Sequence, residues 1–327
     1  MSKRKVVIVC GGFSSEREIS LKSGQTVWDH LPQTHWEKYR LVIAPEEWKL
    51  TNAAGQEIPF SRGDFSWQEN GQWQQPDVVF NAIHGAPGEN GQLAGLLELL
   101  QIPQTSCDSY TAALTYNKRD CLSVLRERGI PTAKHLHLDQ GTPLASQTIV
   151  QQLGFPLFVK ANRAGSSFGV YKVSDEKALQ DAILKALEED SQLLLEAALE
   201  GSEVSVGAFR TEEGITILPL TEIISENDFF DYEAKYEGKA KEITPAQIPE
   251  QWAQQVREQM TFIYETLQLK GVVRSEFIFV DGVPHLLEIN TVPGMTQASI
   301  IPQQLATAQL DLGSFFEQQL LLALTEK

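Results

Sequence analysis

Residues 272–290, VVRSEFIFVDGVPHLLEIN, put the tightest limit on what this chain can fold into. Two apolar runs flank Asp281-Gly282, a dipeptide suited to a two-residue hairpin turn. Polar side chains interrupt the runs at a period of two: Arg274 and Glu276 in the first, Glu288 and Asn290 in the second. Alternate residues of a strand share a face, so the hairpin gathers all four on one patch. A buried carboxylate needs a partner. A solvated edge hairpin would satisfy any one of these groups alone. For four of them beside the Pro293-Gly294 turn, a ligand site is the better reading. Oxygen donors without His or Cys suit Mg²⁺, which keeps several waters and bridges to nucleotide phosphates.

The rest of the chain supplies strands and helices around that hairpin. KVVIVCGG reads as a buried strand ending in a tight loop, and a helix fits from about Ser15 to Leu31, with Ser15 and Glu18 at capping-box spacing. YRLVIAP and PDVVFNAI are further strands, FSWQENGQWQ is a small hairpin, and QLAGLLELLQI is a helix. This alternation predicts an N-terminal parallel α/β domain over 1–105 with its functional loops at the strand carboxyl ends. Residues 106–193 form a second unit of helix, strand, glycine-rich loop, strand and helix. Residues 194–327 form a third, with antiparallel strands, a helix over 250–268, the hairpin and a leucine-rich terminal helix. A polar stretch over 225–249 is long for a loop inside a compact domain, which marks it as functional or disordered.

Three further segments carry candidate chemistry. In KANRAGSSFGV, Lys160 ends a strand before Gly165-Ser166-Ser167, a loop whose N–H groups can approach phosphate oxygens, although it lacks the P-loop pattern. NDFFDYEAKYEGKAKEITPA puts Lys235 and Tyr236 in the long loop, where a lid would exclude water and bring in a cation. FNAIHGAPGENGQ puts His84 in a glycine-rich turn, either positioning substrate or bonded to backbone.

Charge narrows the classes. Lys plus Arg is 27 and Asp plus Glu is 43, a formal charge of −16, which disfavours nucleic acid or an anionic membrane as the main partner. The three cysteines have no metal-ligand spacing and read as reduced thiols of a cytoplasmic protein. The apolar run after MSKRK is too short for a signal peptide or a membrane span.

Taken in order, GGFSSEREISLKSG, HGAPGENGQLAGLLELLQIPQTSC, YNK, FVKANRAGSSFGVYKV, LLLEAALEGSEVSV, FFDYEAKY, EITPA, RSEF and LLEINTVPGMTQASIIPQQ resemble the D-alanine–D-alanine ligase family of the ATP-grasp superfamily. The resemblance spans residues 11 to about 304. It implies an α/β and α+β fold, an ATP-grasp fold preceded by the N-terminal domain, which joins two D-alanines at the expense of ATP for peptidoglycan precursors. It implies Lys118, Lys160, Ser166, Ser167 and Lys235 at the nucleotide phosphates, Glu196, Ala197 and Leu199 at the adenine, and Glu203 at the ribose. Glu276, Glu288 and Asn290 would hold two Mg²⁺ or Mn²⁺ ions. Glu16 would meet the first D-alanine's ammonium and join Ser166 and Tyr236 in pinning the lid, with His84 assisting orientation. Arg274 and the Gly294 N–H would stabilise the oxyanion, and Ser299 with the Ile300 N–H would hold the second D-alanine's carboxylate. A cytoplasmic homodimer is also implied.

Some positions depart from the family pattern. Glu276 stands where aspartate is usual, and its longer side chain must shift the strand or the ion. Asn117, Asn90, Ala161 and Ala164 also differ, without removing a core group. Three other readings remain open: a ligase taking D-lactate or D-serine second, an ATP-binding homologue without turnover, and a dinucleotide oxidoreductase. The last lacks the G-x-G-x-x-G fingerprint.

Overall fold

The computed structural model describes residues 3–142, 144–165, 168–225 and 240–325; the side chains of residues 225 and 240 are excluded. Ser166, Ser167, Lys235 and Tyr236 lie outside the described residues.

The N-terminal sheet runs Glu57–Ile58, Trp48–Thr51, Trp36–Ile43, Arg4–Gly11, Val78–Asn81 in spatial order. Arg4–Gly11 is parallel to both of its neighbours, but Trp36–Ile43, Trp48–Thr51 and Glu57–Ile58 pair antiparallel, so the sheet is mixed where an all-parallel one was expected. The cause is the short connection after Ile43, which leaves no room for a crossover helix. Arg4–Gly11 is VVIVC-rich and buried on both faces, as a central strand must be. At its end Gly11 adopts φ +96°, and a Cβ there would lie 2.5 Å from the Ile43 carbonyl oxygen, so the turn into the first helix requires glycine.

That helix, Arg17–His30, begins without the expected capping box. Glu16 occupies the N-cap with no side-chain cap bond. Ser14 takes over the local bonding: its Oγ accepts from the Glu16 N–H and donates to the His84 carbonyl, tying the helix start to the 84–89 loop.

The central sheet is antiparallel, in the order Val170–Val173, Leu157–Ala161, Gln192–Ala197, His135–Asp139, with helices Ser146–Leu153 and Glu176–Glu189 on one apolar face. The C-terminal sheet orders Ala240–Ile243, Thr221–Ser225, Glu203–Thr211, Val272–Val280 and Val283–Asn290, with Gly214–Ile217 on Glu203–Thr211. Ala240–Ile243 closes the long polar segment as a strand that composition did not mark. Helix Glu250–Thr266 buries Val256, Met260 and Ile263 against this sheet. The stretch expected as one helix after residue 105 is two, Ser109–Tyr116 and Lys118–Glu127, broken at Asn117, whose side chain caps the second by accepting from the Asp120 N–H.

The terminal helix Leu312–Thr325 joins the first and last thirds of the chain. Phe316 packs edge-on against Phe80 of the N-terminal sheet (5.4 Å between centroids), and Phe315 against Phe209 of the C-terminal sheet (5.0 Å). These residues share one core with Val6, Ile8, Ile301 and Leu305. Among the described residues no helix is long and apolar enough to cross a membrane.

Candidate active site

The Asp281-Gly282 turn has φ of +50° and +78°, the left-handed pair that a tight hairpin demands. The two strands align Arg274 with Asn290 and Glu276 with Glu288. Glu276 is buried at 4% exposure. Two carboxylates directly opposed would destabilise the hairpin, and cations flank them: Arg274 Nη2 lies 2.9 Å from Glu276 Oε1, and Lys118 Nζ 3.2 Å from Glu288 Oε2. Lys118 also donates to the Ala164 carbonyl, fixing it against the glycine-rich loop. Asn290 Nδ2 faces Glu288 Oε1 at 3.4 Å.

Two cavities meet at this patch, and Glu288 lines both. The first encloses about 760 Å³ including its mouth. Its walls are apolar: Ala133, Phe158, Val170, Leu199, Ile278 and Leu287. Its polar groups are Lys118, Lys160, Glu196, Glu203, Glu276 and Glu288, and Ala197 completes the edge. Lys160 Nζ sits 2.6 Å from Glu196 Oε2 and 5.5 Å from the Phe158 ring centre. Burial pushes the Lys160 ammonium's pKa down, but the Glu196 charge and hydrogen bond outweigh it, with Glu288 and Glu203 adding, so it stays raised. An apolar slot that carries lysines and carboxylates suits a ligand with an aromatic part and a charged part.

The second cavity, about 880 Å³ including its mouth, is lined by Glu16, His84, Glu89, Arg274, Glu288 and Asn290 on one side. Pro293, Gly294, Ser299, Ile300 and Glu242 line the other. Among the described residues lining it, acid groups outnumber Arg274, which favours a ligand carrying ammonium. Ser299 Oγ accepts from the Thr296 N–H and packs so closely on Gly294 that a Cβ there would lie 2.7 Å away. Glu16 belongs to the N-terminal domain, yet a Cβ on Gly165 of the central loop would lie 2.3 Å from its Oε2.

The described candidates thus gather in two adjoining cavities, and Gly165 is their neighbour. Glu89 was missed by the sequence reading. It is buried, and its two oxygens accept from the Gly85 N–H (2.7 Å) and the Val292 N–H (3.2 Å). Burial, aided by the Glu16 charge, pushes its pKa up to about 7 against the pull of those donors. Its only signal was a place beside His84 in HGAPGENG. Glu242, bonded by Gln303 Nε2 at 2.8 Å, was missed because its strand was not recognised. His84 uses both ring nitrogens within the protein, Nε2 with Ser23 Oγ and Nδ1 with the Val292 carbonyl.

The donor set on the hairpin fits Mg²⁺. Glu276, Glu288 and Asn290 offer hard oxygens, and no group of three or more His, Cys, Asp or Glu suited to a metal occurs among the described residues. Few protein ligands leave positions for phosphate and water, as Mg²⁺ prefers.

Comparison with known proteins agrees with this geometry. Residues 5–107 match the model for the D-ala D-ala ligase N-terminus and residues 124–321 that for the C-terminus. A D-alanine–D-alanine ligase of Flavobacterium johnsoniae is 48% identical over 98% of this chain and 99% of that protein. The VanG D-Ala:D-Ser ligase of Enterococcus faecalis superposes with a TM-score of 0.88 at 27% identity, covering 98% of this chain and all of the other. The D-alanine–D-alanine ligase of Bacillus anthracis complexed with ATP gives 0.80 at 25%, covering 99% and 98%. From its first strand to its last helix, the chain belongs to the D-alanine–D-alanine ligase family.

Proposed function

We propose that this protein condenses two D-alanines into D-alanyl-D-alanine, driven by ATP and Mg²⁺ through an acyl phosphate. The observation that carries the reading is the seam: Glu288 borders both the lysine-ended apolar slot and the acidic cavity. A phosphoryl group held at the end of one cavity is then within reach of a carboxylate held in the other.

In this reading the slot takes adenine between Phe158 and Leu287, beside Glu196, Ala197 and Leu199, with Glu203 on the ribose. Lys118 and Lys160 direct their charge at the phosphates. Two Mg²⁺ ions on Glu276, Glu288 and Asn290 would offset the charge of the triphosphate and polarise its terminal phosphorus. Glu16 holds the first D-alanine by its ammonium, leaving the carboxylate aimed at the γ-phosphorus. Attack there replaces a poor electrophile with an acyl phosphate and releases ADP. Ser299 and the Ile300 N–H hold the second D-alanine by its carboxylate. Its amine attacks the acyl carbon, Arg274 and the Gly294 N–H stabilise the oxyanion, and phosphate leaves. From the family motifs we take Ser166, Ser167 and Lys235 at the transferring phosphoryl, and Tyr236 with Ser166 and Glu16 as the lid's latch, which excludes water. Units over 1–105, 106–193 and 194–327, a cytoplasmic homodimer and supply of peptidoglycan precursors belong to the same reading.

The test is phosphate release with ATP, Mg²⁺ and D-alanine, with mass analysis of the product. D-alanine-dependent phosphate and a dipeptide of matching mass support the reading. ATP binding without turnover identifies a homologue that has lost activity. Faster turnover with D-lactate or D-serine as second substrate reassigns the product.

A further inference from the structure

One network beside the second cavity fixes the turn that follows the hairpin. Ser23 lies on the first helix of the N-terminal domain and is fully buried. Its Oγ accepts from the Met295 N–H at 3.1 Å and lies 2.9 Å from His84 Nε2. His84 Nδ1 is 2.7 Å from the Val292 carbonyl oxygen. The Val292 N–H donates to Glu89 at 3.2 Å, and the Gly85 N–H holds the other Glu89 oxygen. The backbone of Val292 and Met295 is therefore gripped on both sides of Pro293-Gly294 by three side chains from the N-terminal domain.

Hydrogen-bonding roles follow from what each group can do. A carbonyl oxygen only accepts, so His84 carries its proton on Nδ1. Its Nε2 then accepts, and among the described residues the donor facing it is the Ser23 hydroxyl. That hydroxyl's oxygen is free to accept from Met295. Every donor and acceptor in the chain of bonds is matched once, with His84 neutral. Glu16 and Arg274 face the imidazole with opposite charges, while burial favours the neutral form.

We propose that Ser23 is a positioning residue for the condensation step, and that His84 serves as its lever on the turn. Ser23 sets the Gly294 N–H directly through Met295 and indirectly through His84 and Val292. His84 in this arrangement neither relays a proton nor holds substrate through a ring nitrogen, since both nitrogens are engaged. Glu89 closes the grip from the Val292 N–H. Because all three side chains come from the N-terminal domain and the turn from the C-terminal one, correct docking of the two domains and correct aim of the oxyanion donor are one event. This proposal rests on the function proposed above, in which the Gly294 N–H stabilises the oxyanion.

The experiment compares the full-length protein with Ser23→Ala, His84→Ala, His84→Asn and the Ser23→Ala/His84→Ala double variant. Steady-state kinetics are read alongside hydrogen–deuterium exchange of peptides covering 291–296. A mis-aimed oxyanion donor slows the step on the order of tenfold, less than outright loss of such a donor. Ser23→Ala is thus expected to lower kcat about tenfold while KM for ATP stays within twofold, and to speed exchange at 291–296. The double variant should be worse than either single variant but less impaired than the product of the two single effects, because Ser23 and His84 hold separate points of the turn and are bonded to each other. His84→Asn keeps an N–H near the Nδ1 position but cannot relay a proton, so it should recover most of the activity that His84→Ala loses. Unchanged kcat or unchanged exchange in Ser23→Ala overturns the proposal, as does His84→Asn as inactive as His84→Ala. If Ser23→Ala does not fold, the two His84 variants decide the matter. A wild-type protein that ignores D-alanine sinks the proposed function, whereas the exchange measurement still judges the grip on the turn.

Discussion

Replacing Glu89 by glutamine should change how stability depends on pH, by an amount the structure sets. Glu89 is 7% exposed, with Glu16 nearby, and its pKa stands at about 7 against an ordinary 4.5. The folded protein therefore keeps this proton at pH values where the unfolded chain has released it. Between those two values the native state binds more protons, so stability falls as pH rises. The contribution is fully present below pH 4.5 and is gone above about pH 7. Its size is about 3 kcal/mol, at 1.36 kcal/mol per unit. Glutamine cannot ionise and retains one acceptor oxygen, so Glu89→Gln removes this slope while losing one of the two bonds from Gly85 and Val292. Urea unfolding of both proteins at intervals from pH 4.5 to 8 measures the difference, in which unrelated carboxylates cancel. Wild type should lose about 3 kcal/mol relative to the variant across that window. Parallel curves, or a difference of the opposite sign, would refute the claim that Glu89 is a buried, proton-holding group.

Other substitutions test the site's remaining parts. Gly165→Ala sets a Cβ 2.3 Å from Glu16 Oε2, so the Glu16 carboxylate must move by about 1 Å, and kcat/KM for the first D-alanine should fall about 10²-fold by initial-rate kinetics. Lys160→Met leaves the 2%-exposed Glu196 without its cation, which should cost about 3–5 kcal/mol in chemical denaturation, with Glu196→Gln in the same chain restoring part of it. Glu288→Gln should raise the Mg²⁺ concentration needed for half-maximal nucleotide binding by calorimetry; an unchanged requirement would remove Glu288 from the metal site.

Much of the candidate site's geometry was legible because a strand's period is two. Arg274, Glu276, Glu288 and Asn290 share a face by parity alone, and the Asp281-Gly282 turn fixes their register. The same parity could have identified Phe158 beside Lys160 and Ile278 beside Glu276 as cavity walls. Leu287 could not be found that way. The pairing slips between Glu276 and Phe277, so that Leu287 and Glu288, adjacent in sequence, both line the slot. A bulge is a tertiary compromise with no local composition signal. Glu89 and Ser23 were illegible for a different reason. Their partners lie 203 and 272 residues away, across the docking of two domains. The mixed N-terminal sheet and the strand Ala240–Ile243 were missed because short polar strands at an edge carry little hydrophobic period. The capping box failed because Ser14, one position earlier than Ser15, had the His84 carbonyl to bond.

The most direct measurement follows oxygen from substrate to product. D-alanine labelled with ¹⁸O in its carboxylate is incubated with ATP, Mg²⁺ and the protein, and the released phosphate is analysed by mass. Attack of that carboxylate on the γ-phosphorus moves one labelled oxygen into each phosphate that leaves. Phosphate carrying a single ¹⁸O per dipeptide formed is the expected result. Unlabelled phosphate accompanying dipeptide would show that the carboxylate was never phosphorylated, and the proposed mechanism would fall.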